Sequence, residues 1–177
     1  MKLYVIRHGE VDVNAKGLLN GRNDSILNAK GIKQVKQASE ILKNIHFDFI
    51  ICSPLKRTIE TAKIININNK NIIYDNRILE RDTKKMMYHN FQDVDHNYFY
   101  NLKYDIIYED CEGFKSVFTR VANFIEDIKK HYKNKTILVV THSDVCKAIY
   151  SYLNHISDIS EIINFQQDNG EVLYYEI

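Results

Sequence analysis

Short apolar runs alternate along this chain with longer stretches whose apolar residues recur at helical spacing. The opening run, residues 3–6, stops after four residues, so it predicts a buried strand rather than a helix. The run at residues 136–140 is apolar, rich in β-branched residues and bounded by polar ones, which is typical of a strand buried on both faces. On this pattern we expect strands at residues 3–6, 47–52, 72–74, 136–140, 162–166 and 172–177, with Asn169-Gly170 as the turn between the last two.

Helical periodicity fills most of the intervals between these runs. Residues 28–44 carry an apolar stripe, which predicts an amphipathic helix packed on the sheet. Ser53-Pro54 predicts the start of a second helix, with the serine as its cap and the proline at its first helical position. The stripe of the first helix consists of Ile32, Val35, Ser39 and Leu42, and further helices are expected from residue 114 to about 132 and after residue 144.

The alternation of strands and helices predicts the fold class. We expect one α/β domain over residues 1–177, a three-layer α/β/α sandwich with a mainly parallel central sheet. Residues 81–110 interrupt the alternation, because they contain seven aromatic residues and many charges without a clean period. We interpret them as an inserted cap segment of short helices, whose aromatic residues pack as a lid over the substrate side.

Composition narrows the functional classes. The 24 basic and 23 acidic residues give a net charge of +1, which does not favour a nucleic-acid or membrane surface. Three widely spaced cysteines without a paired motif argue against a disulfide scaffold and against a zinc finger. The chain also opens without an apolar segment of export or membrane-spanning length. We therefore expect a soluble cytoplasmic protein.

Candidate chemistry gathers where two of the predicted strands end. Arg7, His8 and Gly9 follow the first strand, and His142 follows the strand at residues 136–140. In open α/β sheets ligands bind at the carboxyl ends of the strands, so both histidines are expected at one site. Gly9 is expected to let the backbone turn sharply there. Together with Arg57, these side chains suit the tetrahedral dianion of a phosphomonoester.

Each step of phosphoryl transfer finds a candidate residue in the sequence. Arg7 and Arg57 can clamp phosphate oxygens bidentately, and His8 can attack as a neutral imidazole. We expect His142 to be a cation that donates a hydrogen bond to a phosphate oxygen, and Glu80 to protonate the leaving oxygen. Asn14 is a further candidate, as a neutral hydrogen-bond donor or only as a turn cap. Glu10, Asp82 and Asp144 are alternative proton donors to Glu80. Arg22 is expected either to contact the substrate or to lie on the surface.

Five ordered blocks of the sequence carry these residues. They are Arg7-His8-Gly9-Glu10 with Asn14; Gly21-x-x-Asp24-x-x-Leu27-x-x-x-Gly31; Ser53-Pro54-Leu55-Lys56-Arg57-Thr58-Ile59-Glu60-Thr61-Ala62; Leu79-Glu80-Arg81-Asp82; and Val139-Val140-Thr141-His142. With these blocks the chain resembles the histidine phosphatase (phosphoglycerate mutase-like) superfamily, in the branch whose proton donor is a glutamate after the third strand. The match covers most of residues 2–152 and leaves residues 83–110 outside.

The resemblance implies an enzyme that works without a metal or organic cofactor. It implies that His8 is the phosphorylated nucleophile, that Arg7, Arg57 and His142 hold the phosphate, and that Glu80 is the proton donor. The departures from the family pattern lie on the substrate side, so the resemblance does not specify the substrate. They are Val11, Val13, Thr83-Lys84-Lys85-Met86-Met87, Cys111-Glu112-Gly113 and Ser143-Asp144.

The sequence therefore predicts a phosphomonoesterase that acts on a small phosphorylated metabolite. Two alternatives stay open at this point. One is a phosphoglycerate mutase-type transfer, although the only further cluster of basic residues that suits a second phosphate is Lys84, Lys85 and Lys103. The other is a non-catalytic module that binds a phosphorylated ligand. No nucleic-acid or membrane partner is expected, and the oligomeric state is left open.

Overall fold

A computed structural model describes the whole chain, residues 1–177, around one five-stranded sheet. The strands are β1 (Lys2–Arg7), β2 (Phe49–Cys52), β3 (Ile72–Tyr74), β4 (Thr136–Thr141) and β5 (Val172–Glu176). Their order in the sheet is β3-β2-β4-β1-β5. Four strands are parallel, and β5 runs antiparallel to β1 at one edge. The mainly parallel sheet predicted from the sequence is thus confirmed.

Helices cover both faces of this sheet, and none is long and apolar enough to cross a membrane. They are α1 (Asp12–Ala15), α2 (Ala29–Leu42), α3 (Lys56–Ile65), α4 (His96–Phe99), α5 (Phe114–His131), α6 (Ser143–Leu153) and α7 (Ile159–Asn164).

The side chains of β4 alternate between two apolar cores. Ile137 and Val139 enter the core under α5 and α6, whereas Leu138 and Val140 enter the core under α2 and α3. Burial of this strand on both faces explains the uninterrupted apolar run in the sequence.

The prediction of a strand at residues 162–166 is wrong. This segment forms the end of helix α7 and the residues just after it. The Asp158 side chain caps this helix by accepting a hydrogen bond from the Ser160 amide, and Ile162 is fully buried against the core. A short apolar run is ambiguous between strand and helix, and here tertiary packing decided. The Asn169-Gly170 turn therefore closes no hairpin but leads directly into β5, which pairs with β1.

The helix start predicted at Ser53-Pro54 is also wrong. Helix α3 begins at Lys56, and Leu55 occupies the capping position without a side-chain hydrogen bond. The first exposed amide of the helix is satisfied from elsewhere, because the Lys56 amide donates to Asp24 Oδ1 over 2.9 Å. The Ser53 hydroxyl is consequently free of the helix and points to another partner, described below.

Two glycines bring helix α2 against the loop after β1. A Cβ on Gly31 would lie 2.1 Å from the Glu10 carbonyl oxygen, and one on Gly9 would lie 2.5 Å from the Gly31 carbonyl oxygen. Close packing is thus the reason for Gly9, whose φ lies outside the left-handed region, so the predicted sharp turn is not what requires it. The predicted helix is confirmed, but Ile32 is 38% exposed, and Gly31 and Ala38 belong to the buried face instead.

Residues 81–110 contain short helical segments, as predicted. They are the 3₁₀ turns Lys84–Met86 and Phe91–Asp93 and the single-turn helix α4. Phe99 and Tyr100 are buried and join the core beneath α5, where Tyr100 meets Phe114 edge to face at 5.1 Å between ring centroids. Part of the aromatic composition of this segment therefore anchors it to the core.

Candidate active site

A cavity of about 310 Å³ opens at the carboxyl ends of β1 and β4. These strands are neighbours in the sheet and Arg7 pairs with Thr141, so the next residues, His8 and His142, leave the sheet side by side. Their ring centroids lie 5.2 Å apart, with the rings edge to face. The predicted convergence of the two histidines is therefore present in the fold, while their chemical roles stay predictions.

The His8 imidazole is held as a neutral ring. Its Nδ1 lies 2.7 Å from the Gly9 carbonyl oxygen, an acceptor, so the ring proton is assigned to Nδ1. The lone pair then resides on Nε2, which accepts a hydrogen bond of 3.1 Å from Arg57 Nε. Burial, with the charges of Arg57 and Arg7, holds the pKa of His8 well below its usual value. His8 thus has the protonation state that a nucleophile needs.

Arg57 connects His8 to the loop that follows α1. Its two terminal nitrogens donate to the backbone carbonyls of Asn23 at 2.6 Å and Gly21 at 2.8 Å, and the side chain is 1% exposed. Burial lowers the pKa of Arg57 to about 10, so the group is still a cation near neutral pH. Three bonds in fixed directions orient the guanidinium plane beside His8.

Arg7 directly precedes His8 at the end of β1 and lines the same cavity. One terminal nitrogen donates to the Gln167 carbonyl oxygen over 2.8 Å, whereas its buried Nε has no hydrogen-bond partner in the protein. Asn14, on α1, lines the same cavity, and its buried Oδ1 also lacks a partner. Val11, not Asn14, occupies the capping position of α1. Both side chains thus keep polar atoms that the protein does not satisfy.

His142 is fully buried against His8, and the Ser53 hydroxyl lies 2.7 Å from its Nε2. Burial, followed by the charges of Arg57 and His8, lowers the pKa of His142 well below its usual value. The groups of the protein itself thus disfavour the expected histidinium, because a cation would be desolvated next to other cations. A bound dianion would act in the opposite direction.

Glu80 has the environment of a general acid. Burial and the nearby Asp144 carboxylate raise its pKa to about 7, against the opposing influence of Arg57. Its backbone carbonyl accepts a hydrogen bond of 3.0 Å from Arg22 Nε. Arg22 also pairs with Glu112 at 3.0 Å and does not line the cavity, so it supports the Glu80 loop rather than the open site.

Two of the three rival acids lie outside the cavity. Glu10 is paired with Lys30 at 2.7 Å, and Asp82 is paired with Lys84 at 2.8 Å. Asp144 does line the cavity, where its Oδ1 accepts a hydrogen bond of 3.0 Å from the Tyr100 hydroxyl. Glu80 and Asp144 therefore form the acidic pair of this site.

A comparison of the sequence with known families settles the identity at family level. Residues 3–177 match the sequence model described as "Histidine phosphatase superfamily (branch 1)". The chain belongs to the histidine phosphatase superfamily.

Individual relatives of this histidine phosphatase are similar over most of their length. Phosphoserine phosphatase 1 of Hydrogenobacter thermophilus is 32% identical over 177 residues, covering 96% of this chain and 83% of the relative. The 2,3-bisphosphoglycerate-dependent phosphoglycerate mutase of Thermoplasma acidophilum is 33% identical over 157 residues, covering 86% and 76%. The crystal structure of an Entamoeba histolytica phosphoserine phosphatase with 3-phosphoglyceric acid superposes with a TM-score of 0.83 at 28% identity, covering 98% of this chain and 89% of that one.

The cavity of this histidine phosphatase is also lined by two residues that sequence reasoning missed. Arg81 is fully buried, lies 3.6 Å over the Phe99 ring, and donates to the carbonyls of Glu112 and Phe99, while its Nη2 has no partner. Its place directly after Glu80 was the only available signal.

The second missed residue is Lys147, a buried cation on α6. Its Nζ donates to the carbonyls of Ile162, Ile163 and Phe165 at the end of α7, and burial lowers its pKa to about 8.

No group of three or more His, Cys, Asp or Glu side chains is arranged to hold a metal ion.

Proposed function

We propose that this histidine phosphatase hydrolyses a small phosphomonoester through a phosphohistidine formed on His8. The observation that carries the proposal is the convergence of four side chains from distant parts of the chain. Arg57 Nε lies 3.1 Å from His8 Nε2, the His142 ring lies edge to face with His8, and Arg7 lines the same cavity. Two cations beside a neutral imidazole suit an anionic phosphoryl group that must meet a nucleophile.

In the first step, His8 Nε2 attacks phosphorus and the bond from phosphorus to the leaving oxygen breaks. Glu80 gives its proton to that oxygen, so the alcohol leaves neutral. The Arg57 Nε–H, which donates to the Nε2 lone pair in this structure, turns to a phosphoryl oxygen as the lone pair is used. Proton and electron pair are balanced, because Glu80 becomes a carboxylate and His8 carries the phosphoryl group.

In the second step, the Glu80 carboxylate takes a proton from water, whose oxygen attacks the phosphorus on His8. The bond from Nε2 to phosphorus breaks, inorganic phosphate forms, and both Glu80 and His8 return to their starting states. A carboxyl with a pKa of about 7 suits both directions of proton transfer near neutral pH. Arg7, Arg57, His142 and Asn14 are the proposed ligands of the phosphoryl oxygens in both steps.

The size of the cavity supports a metabolite as the substrate. About 310 Å³ is at the small end of ligand pockets, which are typically ~300–1,000 Å³. Arg81, Thr83, Phe91 and Tyr100, from the cap segment 81–110, line it. We propose that this segment closes the substrate side of one domain over residues 1–177, and that the enzyme acts in the cytoplasm, where its three unpaired cysteines stay reduced.

Phosphate release from a panel of phosphomonoesters tests the proposal. We expect release from at least one sugar, nucleotide or amino-acid phosphate without a bisphosphoglycerate primer. Because one relative is a phosphoglycerate mutase, the same assay is run with 3-phosphoglycerate and the primer. Isomerisation that exceeds hydrolysis would replace the hydrolase by a mutase, and binding without either reaction would replace it by a binding module.

The pH profile of Asp144→Asn tests Glu80 as the acid. Protonated Glu80 is needed to form the phosphoenzyme, so kcat/KM is expected to fall as pH rises through about 7. The Asp144 charge contributes to the raised pKa, so its removal lowers the pKa and moves the fall to lower pH, by roughly half to one unit. The measurement is kcat/KM from pH 5 to 9, at substrate concentrations where the initial rate is proportional to the concentration.

Asp82→Asn is the matched control for this measurement, because Asp82 pairs with Lys84 outside the cavity. Its profile is expected to coincide with that of the wild type. A profile of Asp144→Asn that also coincides with the wild type would remove Glu80 as the group that titrates.

A further inference from the structure

The hydroxyl of Ser53 has a single partner in the protein, the Nε2 of His142 at 2.7 Å. Ser53 is fully buried at the end of β2, where its amide donates to the Val140 carbonyl and its own carbonyl accepts from the Thr58 hydroxyl over 2.8 Å. Its backbone is thus held from two sides, and the hydroxyl points at the second histidine of the site rather than capping α3.

Hydrogen balance decides which of the two groups donates. A hydroxyl has one proton to give, and Ser53 has no acceptor other than His142 Nε2. If Nε2–H donated to the hydroxyl, the serine proton would be buried without an acceptor, which costs about 1–3 kcal/mol. If Ser53 donates, a neutral ring carries its hydrogen on Nδ1, and that N–H is the only unpaired group. The alternative leaves two groups unpaired, the serine proton and the Nδ1 lone pair.

The Nδ1 of His142 is buried and has no hydrogen-bond partner in the protein. The ring packs edge to face on His8, the proposed nucleophile, at 5.2 Å between centroids. A buried N–H with no protein acceptor, on a ring packed against the proposed nucleophile, is a donor left for a ligand. This arrangement needs no histidinium, so it resolves the conflict between the expected cation and the surroundings of His142.

We propose that Ser53 is a positioning residue that fixes His142 as the Nδ1–H tautomer, so that the neutral ring donates a hydrogen bond to the phosphoryl group. The inference rests on the proposed function for the identity of the acceptor. The tautomer itself depends only on the protein.

Nitrogen-15 NMR of protein labelled at histidine measures the tautomer without turnover. In the wild type, His142 is expected to show a pyrrole-type, protonated Nδ1 and a pyridine-type Nε2, with the Nδ1 signal perturbed by orthovanadate. In Ser53→Ala the ring loses its fixed donor, so a mixture of tautomers is expected. The conservative Ser53→Thr variant, which retains the hydroxyl, is expected to restore the Nδ1–H form. An Nε2–H tautomer in the wild type would overturn the inference.

Vanadate affinity and steady-state kinetics measure the consequence for the site. Removing a hydrogen bond that orients another ligand residue typically costs ~10- to 100-fold, and we expect Ser53→Ala to lose that factor in vanadate affinity and in kcat, with a smaller change in KM. Ser151→Ala is the matched control, because it removes another buried serine hydroxyl, one that bonds only to the Lys147 backbone carbonyl on α6. The His142 tautomer in this control variant is expected to equal that of the wild type.

The outcomes separate this inference from the proposed function. If Ser53→Ala folds, as shown by its melting curve, and retains wild-type vanadate affinity and tautomer, Ser53 does not position His142 even though hydrolysis proceeds. If the wild type hydrolyses no phosphomonoester but shows the Nδ1–H tautomer and the vanadate response, the inference on Ser53 stands while the proposed reaction fails. Should Ser53→Ala not fold, the wild type and Ser53→Thr still report the tautomer.

Discussion

Replacing His8 by asparagine is expected to abolish phosphomonoester hydrolysis. An amide has no nucleophilic lone pair to replace that of Nε2, so no covalent intermediate can form. Knocking out the nucleophile of a covalent catalyst costs ~10⁴–10⁶-fold in kcat, which is the range expected here. The measurement is kcat with the best substrate found in the phosphate-release panel.

A chemical label provides the second measurement of the same prediction. Rapid acid-free quenching of the wild type with a labelled phosphomonoester is expected to trap a phosphoryl group that is labile to acid and stable to base. His8→Asn should show none. His46→Asn, at an exposed histidine far along the chain, serves as the matched control and should label like the wild type. A label that persists in His8→Asn would mean that another residue is the nucleophile.

Arg57→Lys is expected to lower kcat/KM by ~10²–10⁴-fold although the charge is retained. The guanidinium donates at once to His8 Nε2, to the Asn23 carbonyl and to the Gly21 carbonyl. A lysine ammonium is a point charge on a flexible stem and cannot reproduce these three directions. The lysine would leave the Asn23 and Gly21 carbonyls without one of their donors, and it could not bind two phosphoryl oxygens with parallel N–H groups.

Arg77→Lys controls for the general cost of this exchange. Arg77 also makes several bonds, to Asp75 and Asp127, but it lies outside the cavity. We expect the thermal stability of the Arg77→Lys variant to fall slightly, since surface ion pairs contribute ~0–1 kcal/mol to the free energy of unfolding. Its kcat/KM is expected to stay within about twofold of the wild-type value. Comparable losses of kcat/KM in the two variants would show that Arg57 acts only on stability.

Patterns along the chain predicted most of the scaffold. The run at residues 136–140 is apolar because β4 is buried on both faces, and this cause leaves its mark on every residue of the strand. The helical spacing before residue 132 reflects one buried face of α5 in the same way. No strand forms at residues 162–166, because a run of five residues is too short to distinguish period 2 from period 3.6.

The tertiary structure revised the reading of three small residues. Backbone propensity predicts a sharp turn at Gly9, yet Gly9 and Gly31 are each needed because the loop after β1 and the start of α2 nearly touch. The proline after Ser53 predicts that this serine caps a helix, yet its hydroxyl is directed at His142, a histidine 89 positions away in the sequence. A local rule cannot anticipate a partner that only the sheet brings close.

The sequence by itself determined the order and type of the main elements, the family, and the two strand ends at which histidines stand. These features follow from local periodicity and from residue types at short spacing. The tertiary structure alone decided which atoms meet. Arg57 bonds to His8, Ser53 bonds to His142, and the Asp144 carboxylate lies near enough to Glu80 to raise its pKa. The tertiary structure also decided the protonation states, because burial and neighbouring charges determine a pKa and both arise only when distant segments pack together.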